Sequence, residues 1–355
     1  MSNEQLVLVI NPGSTSSKLA LFGPEGRVVE ETVKAEPQPG RLLDELPGRI
    51  GAARSFLERN GSPALGAVVG RGGLVRPVPS GTLLVNEAMK KDASEGFQGE
   101  HVSNLGCLVA AAIAEERGIP AFVVDPVAVD EMLPLARYTG LPGITRQALS
   151  HALNLHAAAR MACERLGRPL TQSRFVVAHL GGGFSIVPMD GGRIVDTNNA
   201  NSGGPFSPTR AGTLPTQPLI KLCFSGSKTA AELKRLTTKE GGLTAHVGTP
   251  DALEVEARIA QGDAHAREVY EAMAYQTAKE IGAMATVLCG RLDGVVLTGG
   301  LAHSNLFCQW LSERVGFLGP VFRFPGEFEM QALAAGAFRV LNGEERAIDY
   351  PGGRS

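Results

Sequence analysis

Several features that mark other protein classes are missing from this chain. No run of about 18 consecutive apolar residues occurs, as a membrane-spanning helix would need, and no cationic leader precedes an apolar segment at the N-terminus. The five cysteines, Cys107, Cys163, Cys223, Cys289 and Cys308, are scattered, odd in number and without a C-x-x-C pair. That pattern argues against a disulfide scaffold and suits a reducing compartment. Excess charge of one sign is absent too. Lys plus Arg number 34 against 36 Asp plus Glu, a net charge of -2, which is too little cationic surface for non-specific nucleic-acid binding. These absences predict a soluble, cytoplasmic protein with neither nucleic-acid nor membrane partners. The remaining composition, 43% hydrophobic and 20% charged, is that of an ordinary globular enzyme. At 355 residues the chain exceeds what one core usually holds, so two domains are expected.

The most informative stretch is the opening one, Leu6 to Phe22. Leu6-Val7-Leu8-Val9-Ile10 reads as a strand buried on both faces. Asn11-Pro12-Gly13 breaks it with turn chemistry, and a second strand of alternating character follows. The bend offers the hydroxyls of Ser14, Thr15 and Ser16, backbone N–H groups and the cation of Lys18, a composition able to hold phosphate oxygens close to the chain. A Walker A loop is excluded, because the G-x-x-x-x-G-K-[ST] spacing is lacking and no helix pattern follows. Strand, hairpin and strand instead resemble the first phosphate loop of the ATPases related to actin, hexokinase and sugar kinases. An ordinary β-hairpin with a polar turn is the alternative.

Further along, Leu43, Leu46, Ile50, Ala53 and Leu57 take helical spacing over Leu42 to Asn60. A short strand, Ala67 to Gly70, delivers Arg71 between glycines, where a ligand could approach the backbone and a guanidinium could grip a carboxylate or phosphate; a surface Arg in a turn is the alternative. His101 to Gly118 reads as a helix stopped by Gly118 and Pro120. The strand Ala121 to Val124 ends in Asp125, placed either where ligands bind in α/β sheets or to cap the following turn. The loop Tyr138 to Thr145 is a candidate domain crossing. A helix from Arg146 to Leu166 would carry His151 and His156 about 140° apart, too far around for one metal, with His156 structural. Phe175 to Val187 repeats the opening pattern. A buried strand with His179 at its lip runs into Gly181-Gly182-Gly183 and out into a second strand. The long aperiodic loop from Asn198 to Gly212 carries Arg210 and is expected to be functional or disordered. Helices are expected at Ala252 to Gly262, Asp263 to Arg291 and Met330 to Leu341. Thr298-Gly299-Gly300 closes another strand, where glycines again let a ligand close.

In order and together, these segments resemble the butyrate kinases of the acetate kinase group. The motifs are I-N-P-G-S-T-S-S-K at Ile10 to Lys18, G-R-G-G at Gly70 to Gly73, H-V-S-N-L-G at His101 to Gly106, and V-D-P-V at Val124 to Val127. V-D-E-M at Val129 to Met132, H-A-L-N at His151 to Asn154 and A-H-L-G-G-G at Ala178 to Gly183 continue the match. G-P-F-S-P at Gly204 to Pro208, K-L-C-F-S-G at Lys221 to Gly226, L-T-G-G at Leu297 to Gly300 and P-G-E-F-E-M at Pro325 to Met330 complete it. The resemblance implies an α/β, two-domain, actin-like ATPase (ribonuclease H-like) fold with duplicated βββαβαβα cores and the active site in the cleft between them. With the crossing at Tyr138 to Thr145, the first domain is expected at 1–145, completed by the C-terminal helix 330–355, and the second at 146–329. It implies Mg-dependent transfer of the γ-phosphoryl of ATP to a short-chain carboxylate, reversible from acyl phosphate and ADP, in a homo-oligomer of two or more chains. Carried over by position, Arg71 and Arg210 grip the phosphoryl and the carboxylate, His179 donates to the equatorial oxygens with His151 in support, and Asp125 orients Mg or an Arg. Asn11 and Glu329 are the Mg-side groups, with Glu327 a substitute for the latter. Asn11, Ser14, Ser16, Lys18, Gly181, Gly182, Gly183, Thr298, Gly299 and Gly300 line the nucleotide.

The chain departs from the acetate kinase pattern at three places. Gly182 stands where those enzymes carry Asn, the Asn201 to Thr209 loop is a residue short and lacks acids, and Leu253 replaces an Arg. The first favours the butyrate branch. An acetate, propionate or branched-acid kinase is the alternative within the family, and a catalytically silent nucleotide-binding switch is the alternative from another class.

Overall fold

The computed structural model describes residues 5–35 and 40–352; residues 353–355 of the expected C-terminal segment and the first four of the first domain lie outside them. The chain forms two compact units, residues 1–130 with 328–355, and residues 131–327. The expected crossing at Tyr138 to Thr145 falls inside the second.

The first unit is a seven-stranded sheet in the order Ile348–Asp349, Thr82–Leu84, Ala121–Val124, Leu65–Gly70, Leu6–Pro12, Ser16–Gly23 and Gly26–Lys34. Leu6–Pro12 runs parallel to Leu65–Gly70, which runs parallel to Ala121–Val124. On the other side, Leu6–Pro12, Ser16–Gly23 and Gly26–Lys34 form an antiparallel meander. The opening aliphatics are covered on both faces, as a continuous apolar strand requires. Leu8 and Ile10 pack with Phe56 and Leu57 of the helix Leu46–Arg59 and with Val109 and Ile113 of the helix Asn104–Arg117. The closing helix, Glu329–Leu341, packs against the same three parallel strands.

The second unit repeats the plan with five strands, in the order Val321–Pro325, Gly294–Gly299, Arg174–Leu180, Phe184–Asp190 and Arg193–Ile194. Again the first three are parallel and the last three form an antiparallel meander. Val176, Ala178, Val295 and Leu297 pack with Tyr270, Met273 and Ile281 of the long helix Ala264–Val287 and with Phe307 and Leu311 of the helix Asn305–Val315. The helix Ala152–Leu166 packs against strands of this sheet. Each meander followed by parallel strands matches the duplicated core expected from the sequence. The first unit adds the strand Thr82–Leu84, antiparallel to Ala121–Val124, and the short edge strand Ile348–Asp349 beside it.

Two local expectations are corrected, and one strand is added. The helix expected from Arg146 begins at Ala152, with His151 at its N-cap. Arg146 instead spends its guanidinium on the Ala136 carbonyl (2.7 Å), the Thr197 carbonyl (2.7 Å) and Asp196 (2.9 Å), and this holds 146–151 outside the helix. The helix expected from Leu42 opens as a 3-10 turn, Leu42–Glu45, before Leu46–Arg59, where Pro47 takes an early position that needs no N–H donor. The strand Gly26–Lys34 was not foreseen; it is an edge strand, largely exposed.

Candidate active site

In the first unit, three adjacent parallel strands end side by side, and each delivers one candidate residue at its carboxyl end, where α/β sheets bind ligands. Asn11 closes the strand Leu6–Pro12, Arg71 follows Leu65–Gly70, and Asp125 follows Ala121–Val124. Glu329 comes in from the start of the closing helix. Its carboxylate accepts from the Asn11 side-chain amide at 2.7 Å and pairs with the Arg71 guanidinium. Asn11, Arg71 and Glu329 therefore form one cluster. Glu327 belongs to the other unit and is exposed.

The opening turn is closed by Gly13 N–H donating to the Ser16 carbonyl at 2.7 Å. Behind it lies Arg49, which the sequence reading missed. This buried side chain donates to the Gly13 carbonyl (2.9 Å) and the Ser17 hydroxyl (2.8 Å) and pairs with Glu45 (2.7 Å). It fixes the backbone of the turn and leaves Ser14 and Lys18 exposed. Its only sequence signal is an Arg on the buried side of an amphipathic helix.

The glycines around Arg71 allow close packing of protein against this loop. A Cβ on Gly72 would overlap Val123, one on Gly73 would overlap Asn104, and one on Gly70 would overlap the Gly106 carbonyl. The helix Asn104–Arg117 lies directly on this strand end. Asp125 stands just past the end of its strand, as expected. Its carboxylate accepts from Gly81 N–H at 2.7 Å while its own N–H donates to the Gly81 carbonyl at 3.0 Å, and it sits at φ 39. A non-glycine residue in that region is uncommon, and the pair of hydrogen bonds to Gly81 helps to hold it there.

In the second unit, His179 lies near the end of Arg174–Leu180, just before the triple-glycine turn. Its ring stacks on that of His151, with centroids 4.1 Å apart and planes at 23°. Ser185, the register partner of His179 across the hairpin, places its hydroxyl 2.8 Å from His151 Nδ1. Asn154, one helical turn beyond His151, reaches both His179 Nδ1 (2.8 Å) and the Thr298 hydroxyl (3.2 Å). So His151, His179 and Thr298 come together through Asn154 and Ser185, two residues that sequence reasoning did not single out. The i, i+3 spacing within H-A-L-N was the available signal. His156 is structural as expected, its ring nitrogens engaged with the Ala152 and Gly192 carbonyls at 2.9 Å each.

The turn Gly181 to Gly183 is tied to the Arg210 loop. The Gly182 carbonyl accepts from the hydroxyls of Ser207 (2.6 Å) and Thr209 (2.9 Å). A Cβ on Gly183 would overlap the Arg210 guanidinium, so glycine is what lets that cation lie on the hairpin. Arg210 is half-buried, and among the described residues nothing pairs with its Nε. Burial lowers its pKa from the usual value with no carboxylate to oppose the shift. A desolvated cation without a counter-charge against a glycine turn is a site for an anion. At φ 91, Gly299 exchanges N–H···O bonds with Gly326 at 3.1 and 3.0 Å, and a Cβ there would strike the Leu180 backbone. Gly300 is open.

Among the described residues no three His, Cys, Asp or Glu side chains gather as a metal cluster, and no helix is long and apolar enough to cross a membrane. All five cysteines are free thiols.

A model of the acetokinase family matches residues 142–320. Over 350 residues, 97% of this chain and 99% of the other, the sequence is 46% identical to a protein named probable butyrate kinase 2 from Caldanaerobacter subterraneus subsp. tengcongensis. The fold is similar to that of Porphyromonas gingivalis acetate kinase, with a TM-score of 0.77 at 21% identity over 95% of this chain and 100% of that one. It is also similar to a propionate kinase from Francisella tularensis subsp. tularensis, with a TM-score of 0.75 at 19% identity over 94% and 98% of the two chains.

Proposed function

The chain belongs to the acetokinase family, and from that premise we propose that it phosphorylates butyrate with ATP, giving butyryl phosphate and ADP. The observation that carries this reading is Arg210: a half-buried cation with an unpartnered Nε, lying on a glycine hairpin. The choice of butyrate rests on the name of the 46%-identical relative and on Gly182.

The chemistry asks little of the protein beyond positioning and charge. A short-chain acid has a pKa near that of Glu, about 4.3, and is ionised at neutral pH, so no general base is required. One carboxylate oxygen attacks the γ-phosphorus in line. The bond to the β–γ bridging oxygen breaks, and ADP departs with its electron pair. Negative charge spreads over the equatorial oxygens of the moving group, and fixed donors there lower the barrier. Arg71, oriented by Glu329, and Arg210 grip the phosphoryl and the acid, His179 donates to the equatorial oxygens, and His151 supports its ring by stacking. Asp125 holds the strand end beside Arg71. Asn11, Ser14, Ser16 and Lys18, with Gly181, Gly182, Gly183, Thr298, Gly299 and Gly300, line the nucleotide.

Asn11 and Glu329 supply oxygen-bearing groups joined at 2.7 Å, a sparse donor set of the kind from which Mg is held together with waters and substrate phosphates. Bound there, Mg would neutralise phosphate charge. The free thiols suit a cytoplasmic setting. The exposed apolar residues Ile220, Leu222 and Phe224 support a homo-oligomer.

The test is acyl-phosphate formation, trapped as hydroxamate, with Mg-ATP and straight and branched acids of two to five carbons. A maximum at butyrate is expected. A maximum at acetate or propionate keeps the chemistry and overturns the substrate, because one methylene is worth only about 1–3 kcal/mol. Nucleotide binding with no product from any acid would favour the silent switch. In the same assay Arg71→Ala or Arg210→Ala should lower the rate by about 10²-fold or more with folding intact; a full-rate variant removes that residue from the mechanism.

A further inference from the structure

The hydrogen-bonded chain behind His179 has a direction. The Gly326 carbonyl can only accept, and the Thr298 hydroxyl lies 3.3 Å from it. With its proton turned there, the Thr298 oxygen accepts from the Asn154 amide at 3.2 Å. The same amide nitrogen lies 2.8 Å from His179 Nδ1. An amide NH₂ carries two donors and no acceptor, so Nδ1 is the accepting nitrogen, and the proton of a neutral imidazole then resides on Nε2. That second nitrogen faces the triple-glycine turn: a Cβ built on Gly181 would stand 3.0 Å from it. Asn154 is 2% exposed and Thr298 fully buried, so water does not compete for these partners. The stacked His151 ring, steadied by Ser185, covers one face of the imidazole.

We propose that Asn154 is a positioning residue that holds His179 in the Nε2–H tautomer, so that the ring presents a donor, not a lone pair, toward the Gly181 to Gly183 turn. Setting one ring nitrogen by a bond to the other is the usual means of fixing an imidazole's role. The use of that donor, to stabilise charge on a transferring phosphoryl, rests on the acyl kinase reading; the tautomer does not. The reverse amide orientation would place an oxygen against Nδ1, move the proton there and aim a lone pair at an anion. A shift of that kind removes a transition-state donor, for which rate losses of about 10²-fold or more are typical.

The experiment is nitrogen-15 NMR of the protein labelled at histidine, without substrates, with the His179 signals identified by their loss in His179→Gln. The expected spectrum of the neutral ring has a protonated Nε2 and an unprotonated Nδ1. A protonated Nδ1 in the native protein would overturn the assignment, and this readout needs no variant at position 154 to fold. Asn154→Asp, whose carboxylate can only accept, should move the proton to Nδ1. It should lower kcat by about 10²-fold while leaving KM for ATP and for the acid within about threefold. A native-like spectrum and full kcat in Asn154→Asp would also overturn it. The expected tautomer in a protein that makes no acyl phosphate would leave the Asn154 assignment standing and sink the kinase reading instead.

Discussion

Arg71 and Arg210 carry the same charge in opposite settings. Arg71 is paired with Glu329, which also holds Asn11, so its guanidinium is aimed before any ligand arrives. Arg210 has burial without a partner at Nε among the described residues, a cost retained in the folded protein. Sites kept for function commonly lower stability in this way. Arg210→Met should therefore raise the thermal stability of the ligand-free protein, by about 0.5–2 kcal/mol, while lowering turnover by about 10²-fold. Paired melting curves and hydroxamate assays check both halves, and a variant that is both slower and less stable would mean the cation has a structural partner. Glu280, on the helix Ala264–Val287, is a carboxyl in a related position. Burial raises its pKa above the usual 4.5, with nearby Asp196 adding to the shift and Arg146 opposing it. Because the folded-state value lies above the unfolded one, the folded protein is favoured by the protonated form, and that contribution is lost as pH rises through the raised value. Glu280→Gln should be more stable than the parent at pH 7, the difference shrinking on acidification and vanishing below about pH 4.5. Denaturation midpoints across that range measure it. Arg71 and His179 stood out in the sequence because each sits at a strand end beside glycines, and Arg210 because it is the one Arg of a long aperiodic loop. Asn154, Ser185 and Arg49 were not, since their roles lie in which neighbour they face after folding.

Between elements, the contact that most constrains the first cluster is the helix Asn104–Arg117 against the end of Leu65–Gly70. Gly70 and Gly106 meet backbone to backbone, and a Cβ on Gly106 would overlap the Arg71 carbonyl. In an exposed helix Gly→Ala gains about 1 kcal/mol. Here the clash opposes that gain, since overpacking a well-packed site costs about 1–3 kcal/mol and the obstructing atom is main chain with little room to yield. Gly106→Ala should therefore lower stability by about 1–2 kcal/mol and displace Arg71, reducing turnover along with it; a stabilised, fully active variant would show that the helix is free to move away. Only part of this level could be read in advance. The two hairpins stood out because unbroken aliphatic runs end in glycine turns, whereas Gly26–Lys34 did not. Its alternation of half-buried and exposed residues, R-V-V-E-E-T-V-K, belongs to an edge strand with little to bury. The start of the helix at Ala152 was obscured because propensity continues back through Gln147 and Ala148, while the tertiary bonds of Arg146 and the Ser185 hydroxyl at His151 hold the chain outside it.

At the scale of the whole chain, the duplication is uneven in its connectivity. The second unit is continuous, residues 131–327, while the first closes only when 328–355 returns to it. That return supplies Met330, Leu333, Ala334 and Ala337, buried in a helix lying on the strands Leu6–Pro12, Leu65–Gly70 and Ala121–Val124. It also brings the Tyr350 hydroxyl to Asp92 at 2.5 Å and Glu329 to Asn11 and Arg71. Four buried side chains of that size represent several kcal/mol of apolar burial, comparable with the entire net stability of a typical domain. A fragment of residues 131–327 should consequently melt cooperatively alone, with native near-ultraviolet dichroism. A fragment of residues 1–130 should not, lacking the cover for one sheet face, and should expose dye-binding apolar surface. Joining 328–355 ahead of residue 5 through a flexible linker should restore its cooperative melt. A cooperatively folded 1–130 fragment would mean that the closing helix orients Glu329 without being needed for the fold, and the N-terminal half-site would then be separable from the stability of the sheet that carries it.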